Sequence, residues 1–233
     1  MCSEIGKEEV ALGNSGELGV VPRATPSADH VNQTADAGVA AFLAAIPGRD
    51  GWRDVAAVFH AVRCLPYVSL GDRSLEGVLA RRAGSCSGKH SLLAAILNEI
   101  GVPAEVELVL GDFASPLRTA RNLPGVLNEA AADGIRDVHN IVRADIGGRR
   151  TILDATWHDA VIPFGLRVNH IWAGCSDTSI AVDVGEMLGP AKDPAAEKAA
   201  IIGSWPAAEQ QRRRRFLESI NRWVAGLEAP VQG

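Results

Sequence analysis

Cys86 is the residue whose position most strongly suggests chemistry. It lies in the segment Ala-Gly-Ser-Cys-Ser-Gly-Lys-His (83–90), which runs directly into an apolar stretch that stops before Gly101 and Pro103. This pattern predicts a largely buried helix over about 86–100, with Cys86 in its first turn. The unpaired amides and the positive dipole end of a helix N-terminus favour a thiolate over a thiol, whose pKa is otherwise about 8.5. We therefore expect Cys86 to be a nucleophile.

A histidine and an aspartate follow on a predicted β-hairpin. Residues 138–146 and 149–157 flank Gly147-Gly148, which is typical of a two-residue hairpin turn. With the turn at these glycines, His139 and Asp154 become diagonal neighbours on one face, about 7–8 Å apart at the backbone. Their side chains can hydrogen-bond across that distance. The opposite face is expected to hold an apolar layer: Val138, Val142, Leu153, Ala155 and Trp157.

These three residues suit nucleophilic acyl transfer. Cys86 would attack a carbonyl, and His139 would accept its proton and later deliver it to the leaving group. Asp154 would fix the imidazole tautomer and support its positive charge. The backbone N–H of Cys86 is the natural first oxyanion donor, because a helix start leaves it unpaired. The second donor stays open, with Arg82 and Tyr67 as candidates.

Two stretches carry a family resemblance. GSCSGKHSLLAAILNEIGVPAEVELV, followed by VHNIVRADIGGRRTILDATW, resembles the transglutaminase-like superfamily of papain-like cysteine enzymes over about residues 50–160. That family has a Gly-x-Cys helix start followed by Gly-Ile-Pro-Ala-Arg, which corresponds to residues 101–105 here. Its histidine opens a strand, here His139, and its aspartate lies in Asp-Pro-Thr, here Asp154-Ala155-Thr156. The resemblance implies a papain-like core with Cys86, His139 and Asp154 as the catalytic residues.

Hydrophobic periodicity predicts an α+β fold in which N-terminal helices pack on a mostly antiparallel sheet and a helical tail follows. We expect 1–33 to be a flexible or loosely docked segment, 34–190 to be the catalytic core and 191–233 to be a helical extension. The predicted helices are 34–46, 54–65, 74–82 and a terminal helix around 216–227, and the further predicted strands are 106–110, 160–167 and 178–184.

Composition narrows the class of protein. A net charge of −5 over 233 residues argues against nucleic acid as a partner. Arg212–Arg215 lie between Glu209 and Glu218 in a helical stretch, which indicates a solvated face. The N-terminus lacks the basic and apolar regions of a signal peptide, and no apolar run reaches the length of a membrane span. The four cysteines form no CxxC pair. We expect a cytoplasmic protein without a membrane partner.

The expected function is cysteine-dependent acyl transfer on an amide or thioester through a thioester at Cys86. The protein would be a peptidase, an amidase or an amine acyltransferase. Its partners would be a peptide, protein or small-molecule acyl donor and possibly an amine acceptor, with no cofactor and no metal.

Three alternatives stay open. The chain could be a catalytically inactive binding module that keeps the fold. It could be an arylamine acetyltransferase-like enzyme, although Arg81-Arg82-Ala83-Gly84-Ser85 departs from the Arg-Gly-Gly-x-Cys of that family. Finally, zinc accepts the ligand types of Cys86, His90, His139 and Asp154.

Overall fold

Helices lead the chain, strands follow and helices close it. The computed structural model describes residues 37–47, 55–69 and 71–228, so the predicted segment 1–33 lies outside it. The helices are α1 (37–44), α2 (Val55–Arg63), α3 (Leu75–Arg81), α4 (Cys86–Glu99), α5 (Gly125–Asp133), α6 (Pro194–Gly203) and α7 (Ala207–Glu228). The strands are β1 (Ala104–Asp112), β2 (Arg136–Ile146), β3 (Arg149–Leu153) and β4 (Asp183–Pro190). The predicted α+β class is confirmed.

The strands form one antiparallel sheet in the order β3-β2-β1-β4. Gly147 and Gly148 have φ angles of 60° and 79°, which is the left-handed backbone that a tight hairpin turn requires. Val142 therefore pairs with Leu153, the register that a turn at these two glycines predicts. The hairpin prediction is confirmed up to Leu153.

Two strand predictions are wrong in their extent, and a third is wrong altogether. The second hairpin strand ends at Leu153 rather than at residue 157, because the Asp154 N–H turns away to the Thr178 hydroxyl, 2.7 Å away. The segment 160–167 instead holds a 3₁₀ helix, Asp159–Phe164, whose Pro163 has no N–H to offer a ladder. The segment 178–184 enters a strand only at Asp183.

Helix α4 is the buried centre of the fold. It packs against α2, α3, β1 and β2, and apolar side chains of α1 join the same core. Gly88 allows a close approach to α3, since a Cβ there would lie 2.5 Å from the Val78 Cγ2 atom. Ser87 Oγ donates to Asn140 Oδ1 at 3.0 Å, which ties the first turn of α4 to β2. The start of α4 is thus held in place from two sides.

The apolar layer expected behind the hairpin is only partly confirmed. Val142, Leu153 and Ala155 share the core cluster of α4, whereas Val138 and Trp157 belong to two other clusters. Beyond Leu153 there is no ladder to enforce alternation, so Trp157 turns to a different core. Val138 lies on the part of β2 that extends past β3, where it is covered from α6 rather than α4.

The C-terminal helices cover part of the sheet and a neighbouring core. Helix α6 packs on β1 and β2, and α7 packs on α5 and β2. The predicted terminal helix is present but begins earlier, at Ala207. Phe216, Leu217 and Ile220 of α7 are buried in the core that also contains Trp157. No helix in the described ranges is long and apolar enough to cross a lipid bilayer.

Lys89 anchors the start of α4 from within. Its side chain is fully buried, and its Nζ atom donates to three backbone carbonyls at 2.8–2.9 Å. Those carbonyls belong to Arg63, Leu65 and Thr156. A single ammonium therefore joins α4 to the end of α2 and to the segment that follows Asp154.

We expect Lys89→Met to lower the free energy of unfolding by about 3 kcal/mol or more, because three buried carbonyls lose their donor. Urea denaturation followed by circular dichroism measures this. Lys192→Met is the matched control, since Lys192 is exposed and should change stability by less than about 0.5 kcal/mol. Equal stability of the two variants would contradict the anchoring role of Lys89.

Candidate active site

Cys86 begins α4, as the sequence predicts. Ser85 is the N-cap residue, with extended backbone, and its hydroxyl accepts from the Gly88 N–H at 3.4 Å. Just before it, Gly84 pairs with the segment of Tyr67: the Gly84 N–H donates to Pro66 O at 3.0 Å, and the Val68 N–H donates to Gly84 O at 3.1 Å. Cys86 is buried and carries a free thiol. It therefore lies at a rigid helix start rather than on a mobile loop.

His139 and Asp154 are in direct contact. His139 Nε2 donates to Asp154 Oδ2 at 2.7 Å, and both side chains are buried. The carboxylate also accepts from the Thr156 N–H at 2.9 Å and from the Ala181 N–H at 2.8 Å. Burial raises the pKa of Asp154, but the charge and the hydrogen bond of His139, followed by the interaction with His90, outweigh it and hold the pKa well below its usual range. Asp154 is a fixed anion that orients the ring.

The thiol and the imidazole interact electrostatically. Burial lowers the pKa of His139, but the charges of Asp154 and Cys86 outweigh this and raise it to about 10. Because Nε2 binds Asp154, Nδ1 is the ring nitrogen left for proton exchange with the thiol. Nδ1 is buried and has no hydrogen-bond partner among the described residues. The arrangement favours a thiolate–imidazolium pair at neutral pH.

Lys198 is a second cation at the thiol. It lies on α6, and its Nζ atom is 3.6 Å from Cys86 Sγ. Only 3% of the residue is exposed. Burial raises the pKa of the Cys86 thiol, but the charge of Lys198, followed by the charge and hydrogen bonding of His139, brings that pKa well below its usual range. The C-terminal helices thus contribute directly to the candidate site.

Asp137 is a further buried charge near the thiol, and the half-buried Arg213 is its partner. Asp137 precedes His139 by two residues on β2, and Arg213 Nε on α7 donates to its Oδ1 at 2.5 Å. Burial raises the pKa of Asp137, but the charges of Lys198 and Arg213 outweigh it and keep the carboxylate ionised. The expectation that Arg212–Arg215 form a solvated face is therefore wrong for Arg213, because its guanidinium forms an ion pair with the buried carboxylate of Asp137.

His90 supports the aspartate segment rather than the thiol. Its Nε2 atom accepts from the Ala155 N–H at 2.8 Å and lies 3.5 Å from Asp154 Oδ1. These contacts direct Nε2 to the backbone after Asp154 and to the Asp154 carboxylate. Among the described residues, no group of three or more His, Cys, Asp or Glu side chains is arranged to hold a metal ion. The zinc alternative therefore finds no support in the geometry.

The two candidates for the second oxyanion donor have different surroundings. Arg82 is exposed, and its guanidinium carbon lies 5.8 Å from the centre of the Phe42 ring, so it is directed to another part of the molecule. Tyr67 lines the cavity beside Cys86 and is buried. Burial and the charge of Cys86 raise the pKa of Tyr67 well above its usual value, which keeps the phenol protonated. Arg82 is thus excluded, and Tyr67 remains as a neutral donor.

The space at the thiol is small. A cavity of about 10 Å³ lies beside Cys86, which is about the volume required for one water molecule. Lys198 and Tyr67 line it. It shares Arg73, Arg213 and other lining residues with a neighbouring cavity of about 310 Å³, which also contacts exposed residues of α7. Of these two cavities, Cys86 lines only the smaller one.

Sequence reasoning missed Asp137, Lys198 and the partner of Asp137 on α7. Strand alternation offered one clue, because Asp137 shares the face of His139. Helical periodicity offered another, since Lys198 lies three and four residues before Ile201 and Ile202 and thus on their face. A lysine on an apolar helix face must find an anion or a carbonyl inside the protein.

Comparison with known proteins adds no assignment: no family model matches this chain, and no curated protein matches it significantly.

We expect the thiolate of Cys86 to persist well below pH 8.5, the approximate midpoint of a free cysteine. Asp154→Asn should raise this midpoint by about 1 unit or more, because loss of the carboxylate lowers the pKa of His139 and removes its positive charge from the thiolate. Ultraviolet thiolate absorbance against pH, minus the curve of Cys86→Ala, measures the midpoint.

Asp133→Asn is the control for this titration, since Asp133 is an exposed aspartate of α5. The midpoint of the Cys86 thiolate titration in Asp133→Asn should equal that of the unmodified protein. A midpoint near 8.5 in the unmodified protein, or no shift in Asp154→Asn, would contradict the ion-pair description of the site.

Proposed function

We propose that this protein is a cysteine-dependent acyl-transfer enzyme that acts on an amide or thioester through a thioester at Cys86. One observation carries the proposal: a buried thiol at a helix N-terminus is electrostatically paired with His139, whose Nε2 atom is held by Asp154 at 2.7 Å. This combination provides an activated nucleophile, a proton carrier and a group that orients the carrier.

The chemistry follows from the positions of these groups. The Cys86 thiolate attacks the carbonyl carbon, and the carbonyl π electrons move to the oxygen. When the intermediate collapses, the bond to the leaving group breaks and the His139 imidazolium gives that group its proton. A water or an amine then attacks the thioester carbon while His139 accepts its proton. Collapse of this second intermediate breaks the carbon–sulfur bond, which releases the acyl product and returns the electron pair to the Cys86 thiolate. Asp154 keeps the ring oriented and stabilises its charged form in both halves.

The proposed fold family is the transglutaminase-like one. Its support is the order of the parts: a helix that starts with the nucleophile, then an antiparallel sheet with His139 on an inner strand, then Asp154 just after the neighbouring strand. The same three residues serve a peptidase or an amidase, in which water is the acceptor, and an acyltransferase, in which an amine is the acceptor. A cytoplasmic location is part of the same proposal.

A second candidate is an inactive binding module. The cavity of about 10 Å³ beside Cys86 favours it, since an acyl donor needs Lys198 or its neighbours to move before it reaches the thiol. Closing helices that exclude water are also common in active enzymes, where they protect a reactive intermediate. Covalent labelling separates the two candidates.

Incubation with p-nitrophenyl acetate, a small activated acyl donor, should add one acetyl group to Cys86. Intact-mass measurement and peptide mapping detect it. His139→Ala should slow the acylation by about 10²-fold or more, because the proton carrier and one of the two cations that stabilise the thiolate are lost. Cys175→Ser is the matched control: Cys175 is a free but exposed cysteine, and its removal should leave the adduct unchanged.

Added primary amines and arylamines then identify the acceptor. Faster loss of the Cys86 adduct with formation of the amide indicates a transferase, whereas loss at the rate seen without amine indicates a hydrolase. A protein that is labelled equally in Cys86→Ala, or not labelled at Cys86 at all, would contradict the proposed function and favour the binding module.

A further inference from the structure

Lys198 has a position that the three-residue mechanism does not use. Its ammonium is buried and contacts the reacting sulfur atom at 3.6 Å, although the residue lies 112 positions after Cys86. A buried ammonium is costly unless an anion or several carbonyls receive it. A cation that contacts the nucleophile itself therefore calls for an explanation beyond packing.

The other charges near the thiol do not replace it. His139 is engaged by Asp154, and Arg213 binds Asp137 directly at 2.5 Å. Lys198 also interacts electrostatically with Asp137, but its Nζ atom donates its hydrogen bond to Cys86 Sγ. Lys198 therefore places a second positive charge, besides that of His139, at Sγ.

We propose that Lys198 is a catalytic residue that supplies the second oxyanion donor beside the N–H of Cys86. This inference rests on the proposed function. In the attack, a bond forms between Sγ and the carbonyl carbon, and the negative charge moves from the sulfur to the carbonyl oxygen. That oxygen is separated from Sγ by one carbon atom. An ammonium in contact with Sγ can therefore also donate a hydrogen bond to that oxygen. The distance from an oxyanion donor to the oxyanion is about 2.7–3.1 Å.

Charge gives Lys198 an advantage over Tyr67 in this role. Tyr67 lines the same cavity and is a neutral donor. Hydrogen bonds from a charged donor are about twice as strong as those between neutral groups. A lysine here also stabilises the thiolate before attack. The same ammonium therefore stabilises the negative charge on Sγ before the attack and on the carbonyl oxygen after it.

Two reagents separate stabilisation of the thiolate from stabilisation of the oxyanion. Iodoacetamide alkylates a thiolate without forming an oxyanion, whereas p-nitrophenyl acetate forms one. Both second-order rates are measured at Cys86 over a range of pH and divided by the thiolate fraction from ultraviolet absorbance. In Lys198→Met, we expect the corrected alkylation rate to stay within about 3-fold of the unmodified protein, and the corrected acylation rate to fall about 10²-fold.

The variants include two controls and one competitor. Lys192→Met removes an exposed lysine near the start of α6 and should change neither rate. Lys198→Arg keeps the charge and should retain more acylation than Lys198→Met. Tyr67→Phe tests the neutral donor in the same cavity and should lower the corrected acylation rate less than Lys198→Met does. The p-nitrophenol burst counts the competent sites, so partial misfolding of a variant does not distort the rates.

The outcomes are distinct. A large loss of corrected acylation in Lys198→Met with alkylation preserved supports the inference. Equal changes in both corrected rates, or a larger acylation loss in Tyr67→Phe, would overturn it while leaving acyl transfer at Cys86 intact. If the unmodified protein is alkylated but never acylated at Cys86, the proposed function itself fails, whatever Lys198 does.

Discussion

Buried charge is the constraint on which the rest of this structure depends. Ionised groups removed from water persist only when they neutralise one another at short range. The interior around the thiol holds such a set: Cys86, Asp137, His139, Asp154, Lys198 and Arg213. Its members come from α4, β2, the segment after β3, α6 and α7. Neutralising them therefore joins the start of the central helix to both the sheet and the C-terminal helices.

The same constraint explains why the site is rigid. Asp154 is bound by two backbone N–H groups as well as by His139, and its own N–H is taken by Thr178. His90 and Lys89, on the first turns of α4, hold the backbone immediately after it. The nucleophile and the aspartate are therefore positioned by one helix. Catalytic groups need such support from neighbouring hydrogen bonds to keep their geometry within about 0.5 Å.

Local patterns predicted much of the fold and three residues of the site. The apolar run after Cys86 predicted α4, and Gly147-Gly148 predicted the hairpin register that brings His139 towards Asp154. Each depends on a periodicity or a turn within a short window. The contact of Lys198 with the thiol depends on how α6 lies across the sheet, which no short window encodes. The predicted end of β3 is wrong for a similar reason. The Asp154 N–H donates to the hydroxyl of Thr178, which lies far away in the sequence.

The position of Lys198 also links closure of the site to its reactivity. Helix α6 lies over the sheet and carries the ammonium that contacts Sγ, so the element that restricts access also supplies a charge to the thiolate. Burial by itself raises the pKa of the Cys86 thiol, and the cations reverse that effect. Displacing α6 would withdraw one of them, leaving His139 to act alone. Helix α6, which the sequence predicts only as part of an extension after the core, therefore contributes a charge directly at the thiol of that core.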